Sequence, residues 1–300
     1  MSDQTEFLTV TQVGFGRAAE PDPLLAHAAR FAAMPAFDVA VRAYITGQAG
    51  FRRGNGLINK LVSYHARFRL VGYLMYLHAD RERFGPDGGA TYGNLLEMCN
   101  RRQEIRPRVL KTVLALLQFT GFVKAWRSSG DRRSKIYQPT ARMQSFMQPW
   151  LRYATGTLDI LEPEMRRARM LQDDPGFIDR FLVSSGRAHE TATPLVERMP
   201  EYVAFFGARD GAGAVLLPIM LAEIDSTPVP SRAELAKTFG LSKTQVTSVF
   251  RLGETQGYFV LDAAGVPAPT SLLRKTFRKW VAIELAFYAH HMQASAALTH

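Results

Sequence analysis

Apolar positions with a helical period occur twice along this chain, 136 residues apart. In the second copy Val246, Val249, Phe250 and Gly253 fall at i, i+3, i+4 and i+7, which places them on one face of a helix. Thr244, Thr247, Ser248 and Arg251 take the opposite face. The preceding segment opens on Ser231-Arg232-Ala233-Glu234. There the serine hydroxyl can accept from the backbone at Glu234, and the glutamate can accept from the serine N–H. Leu235, Ala236 and Phe239 then form the apolar face of a short helix, and Gly240 suits a left-handed C-cap. Ser242-Lys243-Thr244-Gln245 repeats the capping pattern at once. Gly257 stops the second helix, and Tyr258-Phe259-Val260-Leu261 reads as a strand.

In the first copy Leu110, Val113, Leu114 and Leu117 take the apolar positions, and Gly121-Phe122-Val123 matches Gly257-Tyr258-Phe259. Arg108, Lys111, Thr112 and Ala115 face outward. Pro107 suits a first helical turn, where its missing N–H costs nothing. Thr91 is placed to cap the helix before, with Leu95, Leu96 and Met98 beneath it. This copy is four residues longer, and residues 100–105 are the expected place for the excess. Matched core faces with matched stop signals mark an internal repeat. The pattern predicts a mainly α chain with small β-wings, two winged helix-turn-helix units in tandem. The expected organisation is an N-terminal arm and helix over 1–64, unit 1 over 65–145 and a helical connecting region over 146–212. Unit 2 with a C-terminal helix follows over 213–300. Unit 1 should begin with an apolar helix over 67–83, and the C-terminal helix should run over 271–292.

Charge sharpens this picture. The net charge of +10 is unevenly spread. Residues 87–142 hold eleven cations against four acids, and residues 228–280 hold eight against three. Between them, residues 143–227 hold eight cations against twelve acids. Two separated basic blocks suggest two contacts on a polyanion. The acidic start Met1-Ser2-Asp3-Gln4-Thr5-Glu6 lacks the basic opening of a signal peptide, and the apolar stretch 214–222 is too short to span a bilayer. A single cysteine, Cys99, excludes an internal disulfide framework and a Cys-rich zinc site. These features predict a cytoplasmic protein with no membrane contact.

Lys124-Ala125-Trp126-Arg127, a Ser128-Ser129-Gly130 tip and Arg132-Arg133-Ser134-Lys135-Ile136-Tyr137 read as a β-hairpin. Asp131-Arg132-Arg133-Ser134-Lys135, followed by Pro139-Thr140 and a helix, resembles the wing of the MarR family of bacterial regulators, which has Asp-Arg-Arg-Ala-Lys and then Leu-Thr in this register. The resemblance covers residues 65–145 and reaches the second copy by helix pattern alone. It implies a double-stranded DNA partner, with the helix before the wing in the major groove and a wing arginine in the minor groove. By position Asp131 and Arg133 match the family's brace and Arg132 its minor-groove finger, the order of the two arginines being left open. The expected DNA contacts are Arg106, Arg108, Lys111, Thr112, Arg127, Arg132, Arg133 and Lys135 in unit 1. In unit 2 they are Lys243, Thr244, Thr247, Ser248 and Arg251. Pro139 departs from the family's leucine, and the second wing, 262–269, has no lysine or arginine. Family members carry one unit and dimerise, so two units imply an intrachain pseudo-dimer or a homodimer.

Other motifs change little. Gly14-Phe15-Gly16-Arg17-Ala18-Ala19 after the strand-like 7–13 only superficially fits a dinucleotide turn, since no acidic ribose partner follows and Pro21 and Pro23 interrupt the required helix. Cys99 reads as buried and inert rather than a sensing thiol. His290 and His291 are adjacent and face different sides of a helix, so they make no metal pair. Trp150, Tyr153, Met165, Met170, Phe177, Phe181, Tyr202, Phe205 and Phe206 read as core, with the lining of a small-molecule effector pocket as the alternative. Residues 50–56 read as a glycine-rich basic connector between helices, with phosphate contact as the sharper reading. No catalytic constellation, cofactor or metal motif is legible, so a non-enzymatic role is expected. The functional expectation is sequence-specific DNA binding for transcription regulation. The alternative is a DNA-associated scaffold or replication-type protein whose second winged helix holds a protein partner.

Overall fold

The computed structural model describes residues 22–53, 59, 65–85, 89–101, 105–127, 135–192 and 195–296. The chain is mainly helical, with two small antiparallel hairpins among the described residues. Helices α1 (Pro23–Ala32) and α2 (Phe37–Arg52) lead. Pro23 opens α1, and the Asp22 carboxylate accepts from the Leu24 N–H at its N-terminus. Where one arm and one helix were expected, two helices stand, and residues 1–21, including the strand-like 7–13 and the glycine turn after it, lie outside the described residues.

Next come α3 (His65–Ala79), α4 (Tyr92–Arg101), α5 (Pro107–Phe119), the hairpin β1 (Val123–Arg127) with β2 (Lys135–Pro139), and α6 (Ala141–Leu161). The helix expected over 67–83 is broken at Asp80 and resumes only as a short turn over Arg81–Phe84. Arg187 explains the break. Its Nε and Nη2 donate to the two Asp80 carboxylate oxygens at 2.8 and 2.7 Å, fixing a buried acid outside helical geometry. That hydrogen-bonded guanidinium holds the Asp80 carboxyl below its usual range. Helices α7 (Arg167–Asp173) and α8 (Phe177–Thr191) connect the two copies.

The later copy runs α9 (Ala212–Ile224), α10 (Arg232–Phe239), α11 (Lys243–Thr255), β3 (Phe259–Leu261), β4 (Pro267–Pro269) and α12 (Ser271–Ala296). Both predicted capping boxes form: Ser231 with Glu234 and Ser242 with Gln245. Helices α5 and α11 have the same length and bounds offset by 136, and their matched residues Leu110/Val246, Val113/Val249, Leu114/Phe250 and Leu117/Gly253 are all buried.

The repeat extends past these helices. Gly121 and Gly257 both adopt left-handed backbone, with φ of 72° and 75°. In each copy a threonine closes the hairpin base on that glycine: the Thr140 hydroxyl donates to the Gly121 carbonyl, and Thr270 to Gly257, both at 2.7 Å. Each threonine then opens a long helix, α6 or α12. Of the four extra residues in the first copy, Asn100 and Arg101 prolong α4 instead of lengthening the turn.

The copies are tied together by α2, which packs against both α6 and α9, and by α12, which packs against α1 and α8. Arg42 on α2 pairs with Asp225 at the end of α9 at 2.7 Å. Asn59 donates to the carbonyls of Arg52 and Phe239, joining the ends of α2 and α10. Helix α6 runs through the boundary expected at 145–146. Gly50, Phe51 and Arg52, expected in a connector, are the last turn of α2, and Phe51 packs on Phe146 with ring centroids 4.9 Å apart. Residues 54–56 of that motif lie outside the described residues. No single helix among the described residues is long and apolar enough to cross a membrane.

Candidate nucleic-acid interface

Helix α5 and the first hairpin carry the densest cationic surface that the sequence singled out. Pro107 starts α5, and Arg106 holds the capping position in extended backbone. The buried Leu110, Val113, Leu114 and Leu117 fix the rotation of α5, so Arg108, Lys111, Thr112 and Ala115 are exposed. The Thr112 hydroxyl donates back to the Arg108 carbonyl at 2.9 Å. Lys111 lies over the Tyr92 ring, its Nζ 5.8 Å from the centroid. In the hairpin Arg127 pairs in register with Lys135, and both side chains are exposed. Lys124, one pleat from the buried Val123, is exposed as well. Sequence reasoning passed over it, although alternation along the strand was the available signal. The remaining hairpin candidates, Arg132 and Arg133 with their partner Asp131, lie outside the described residues.

These cations meet no counter-charge from a described residue, a condition they share with Lys243 and Arg251 on α11. Arg106, Arg108, Lys111, Lys124, Arg127 and Lys135 form no ion pair with a described residue. Several other arginines are met by acids: Arg83 by Glu190, Arg187 by Asp80, Arg198 by Asp22 and Arg274 by Glu223. Arg142, at the start of α6, is held by the Thr120 carbonyl and the Phe122 ring and serves the hairpin base.

The corresponding surface of the later copy is plainer. Lys243, Thr244, Ser248 and Arg251 are exposed. Thr247 departs from the expected outward face. It is half-buried, its hydroxyl donates to the Lys243 carbonyl at 3.0 Å, and it lines an open groove of about 500 Å³. The groove runs between the start of α10, α11 and the loop of the second hairpin. Arg232 anchors that loop by donating to the carbonyls of Ala264 and Gly265 at 3.3 and 2.8 Å. Val260 and Val266 are 61% and 41% exposed on the hairpin.

The other candidates fall into the interior. Cys99 is fully buried. His290 is exposed, whereas His291 is buried with its Nδ1 2.9 Å from the Ser184 hydroxyl, and burial pushes its pKa down to about 3. No three His, Cys, Asp or Glu side chains converge as a metal would require among the described residues. Of the aromatic and methionine residues read as core or pocket, Trp150 and Phe181 line one cavity, and Trp150, Tyr153, Tyr202 and Phe206 line another. Phe177 and Phe205 are packed core, and Met165 and Met170 are half-buried. No family model, curated protein or solved structure matches this chain.

Proposed function

We propose that the chain is a cytoplasmic regulator of transcription that binds double-stranded DNA through two winged helix-turn-helix units in tandem, the first of them MarR-like. Six exposed cations at the start of and along α5 and on β1–β2, clustered on one unit and paired with no described acid, carry this reading. Such a surface gains free energy from phosphates by releasing condensed counterions. Helix α5 enters the major groove, with Arg108, Lys111 and Thr112 toward base edges and Arg106 toward the backbone. The first hairpin follows the minor groove with Arg127, Arg132, Arg133 and Lys135.

In unit 2, Lys243, Thr244, Ser248 and Arg251 lie along α11 as the second contact, with Thr247 at its edge. The buried helices between the units hold them as an intrachain pseudo-dimer. Because the two reading faces differ, the bound site is asymmetric. Recovery of bound genomic fragments followed by footprinting tests this reading. A short shared motif protected over two successive major grooves supports it, and uniform coverage contradicts it. Arg108→Ala should relax preference at one base position, because a bidentate arginine–guanine contact is worth about 1–3 kcal/mol.

A second reading concerns unit 2 alone. Its hairpin has no cation and exposes Val260 and Val266 beside an open groove, which favours a protein partner there. A footprint confined to one groove and indifferent to Arg251→Ala would select that reading.

A further inference from the structure

Two cavities adjoin where the helices that join the halves converge. The larger, about 540 Å³, lies among α1, α3, α8 and α12, and most of its wall is apolar, including Leu24, Val71, Phe181, Leu182 and Phe287. That size is ordinary for a site that encloses a small organic molecule. The smaller, about 70 Å³, shares Phe68, Trp150 and Glu284 with it and differs in chemistry. Among the described residues, Arg52 and Glu284 are its only charged lining residues, set among the rings of Tyr153, Tyr202 and Trp280. The Arg52 Nε is buried without a hydrogen-bond partner, and its guanidinium forms no ion pair with a described residue. Buried donors are rarely left in this condition, and an oxygen ligand is what would satisfy it. The Glu284 carboxyl is already engaged by the Tyr44 hydroxyl, which in turn accepts from the Gln48 amide at 2.8 Å.

We infer that the two cavities form one binding site for an amphipathic organic acid, whose apolar body fills the larger space and whose carboxylate meets Arg52. An ammonium head would have to face the Arg52 guanidinium. A carboxylate instead finds the partly buried Arg52 guanidinium and a neighbouring acid that burial keeps readily protonated, able to donate to it. The site is built from helices outside both hairpins, so it does not depend on the proposed DNA contacts.

Naphthylacetate and its neutral amide, naphthylacetamide, titrated calorimetrically into the full chain without DNA, test the inference. The acid should bind one per chain, and the amide at least about tenfold more weakly, as loss of a charged hydrogen bond implies. Arg52→Gln should reduce the acid to the affinity of the amide and leave the amide unchanged, which also reports that the cavity is intact. Gly72 lies on the wall of the larger cavity, and an added Cβ there meets nothing within 4 Å. Gly72→Phe should therefore abolish binding of both probes while the thermal melt stays at or above that of the parent chain, since glycine is a poor helix former. Equal binding of acid and amide, unaltered by Arg52→Gln, would overturn the head-group assignment. Absence of saturable binding to the parent chain, or binding that survives Gly72→Phe, would overturn the site itself.

Discussion

Replacing Glu284 by glutamine should change how stability depends on pH. Glu284 sits on α12 with 9% exposure, accepts from the Tyr44 hydroxyl on α2, and is hydrogen-bonded by Trp280 and Tyr288. Burial pushes its pKa from 4.5 up to about 7, and the Tyr44 hydrogen bond and the Arg52 charge offset only part of that penalty. A carboxyl whose pKa is raised by folding holds its proton more tightly in the native state. Its contribution to stability is therefore full below the unfolded pKa and is lost as pH rises toward the folded one. Between about pH 5 and about pH 8 the loss from this one group is on the order of 2.5 kcal/mol. Glutamine keeps an oxygen for Tyr44 and cannot ionise. Urea unfolding of the parent chain and Glu284→Gln at both pH values isolates the effect, because every other titrating group is common to the two. The difference in stability should move in the variant's favour by about that amount, a relative midpoint displacement on the order of 1 M urea. A difference that stays constant across the range would refute the account of Glu284 as a buried acid.

Other substitutions probe the repeat. Gly253→Ala drives a Cβ into the Phe259 ring and should destabilise by about 1–3 kcal/mol in a denaturant melt, leaving the proposed α5 surface intact. Leu114 is 2% exposed on the buried face of α5, so Leu114→Ala should cost about 2–5 kcal/mol by the same measurement. Ser242→Ala removes a side-chain acceptor from the Gln245 N–H and should cost about 1 kcal/mol, whereas Thr244→Ala on the exposed face should be close to neutral for stability.

The sequence made the repeated core legible because its signals are local. Capping serines, left-handed glycines and an i, i+3, i+4, i+7 face act within a few residues, and α5, α10 and α11 form where those signals lie. The break at Asp80 was not legible, because its cause, Arg187, is 107 residues away. Pairing of charges is equally non-local. Composition revealed two basic blocks, but only the structure separates Arg101 and Arg274, which acids meet, from Arg108 and Lys111, which no described acid meets. The position of Thr247 follows from the second hairpin loop folding back along α11, a tertiary effect that helical period cannot register. Arg52 is hard to place for a similar reason: glycines at 50, 54 and 56 suggest a loop, but α2 runs on to Arg52 with Phe51 packed on Phe146.

Under the proposed function, the cations of α5 and the first hairpin that no described acid meets bind DNA phosphates. Fluorescence anisotropy of a labelled duplex across a salt series, for the parent chain and for a variant with Arg106, Arg108, Lys111, Lys124, Arg127 and Lys135 all changed to glutamine, tests it most directly. These side chains are exposed and form no ion pair with a described residue, so the variant should fold as the parent does. The parent should show a steep fall of log K with log salt, and the variant should lose up to about 0.9 of slope for each phosphate contact removed, together with most of its affinity at low salt. Unchanged slope and affinity in the folded variant would contradict the claim.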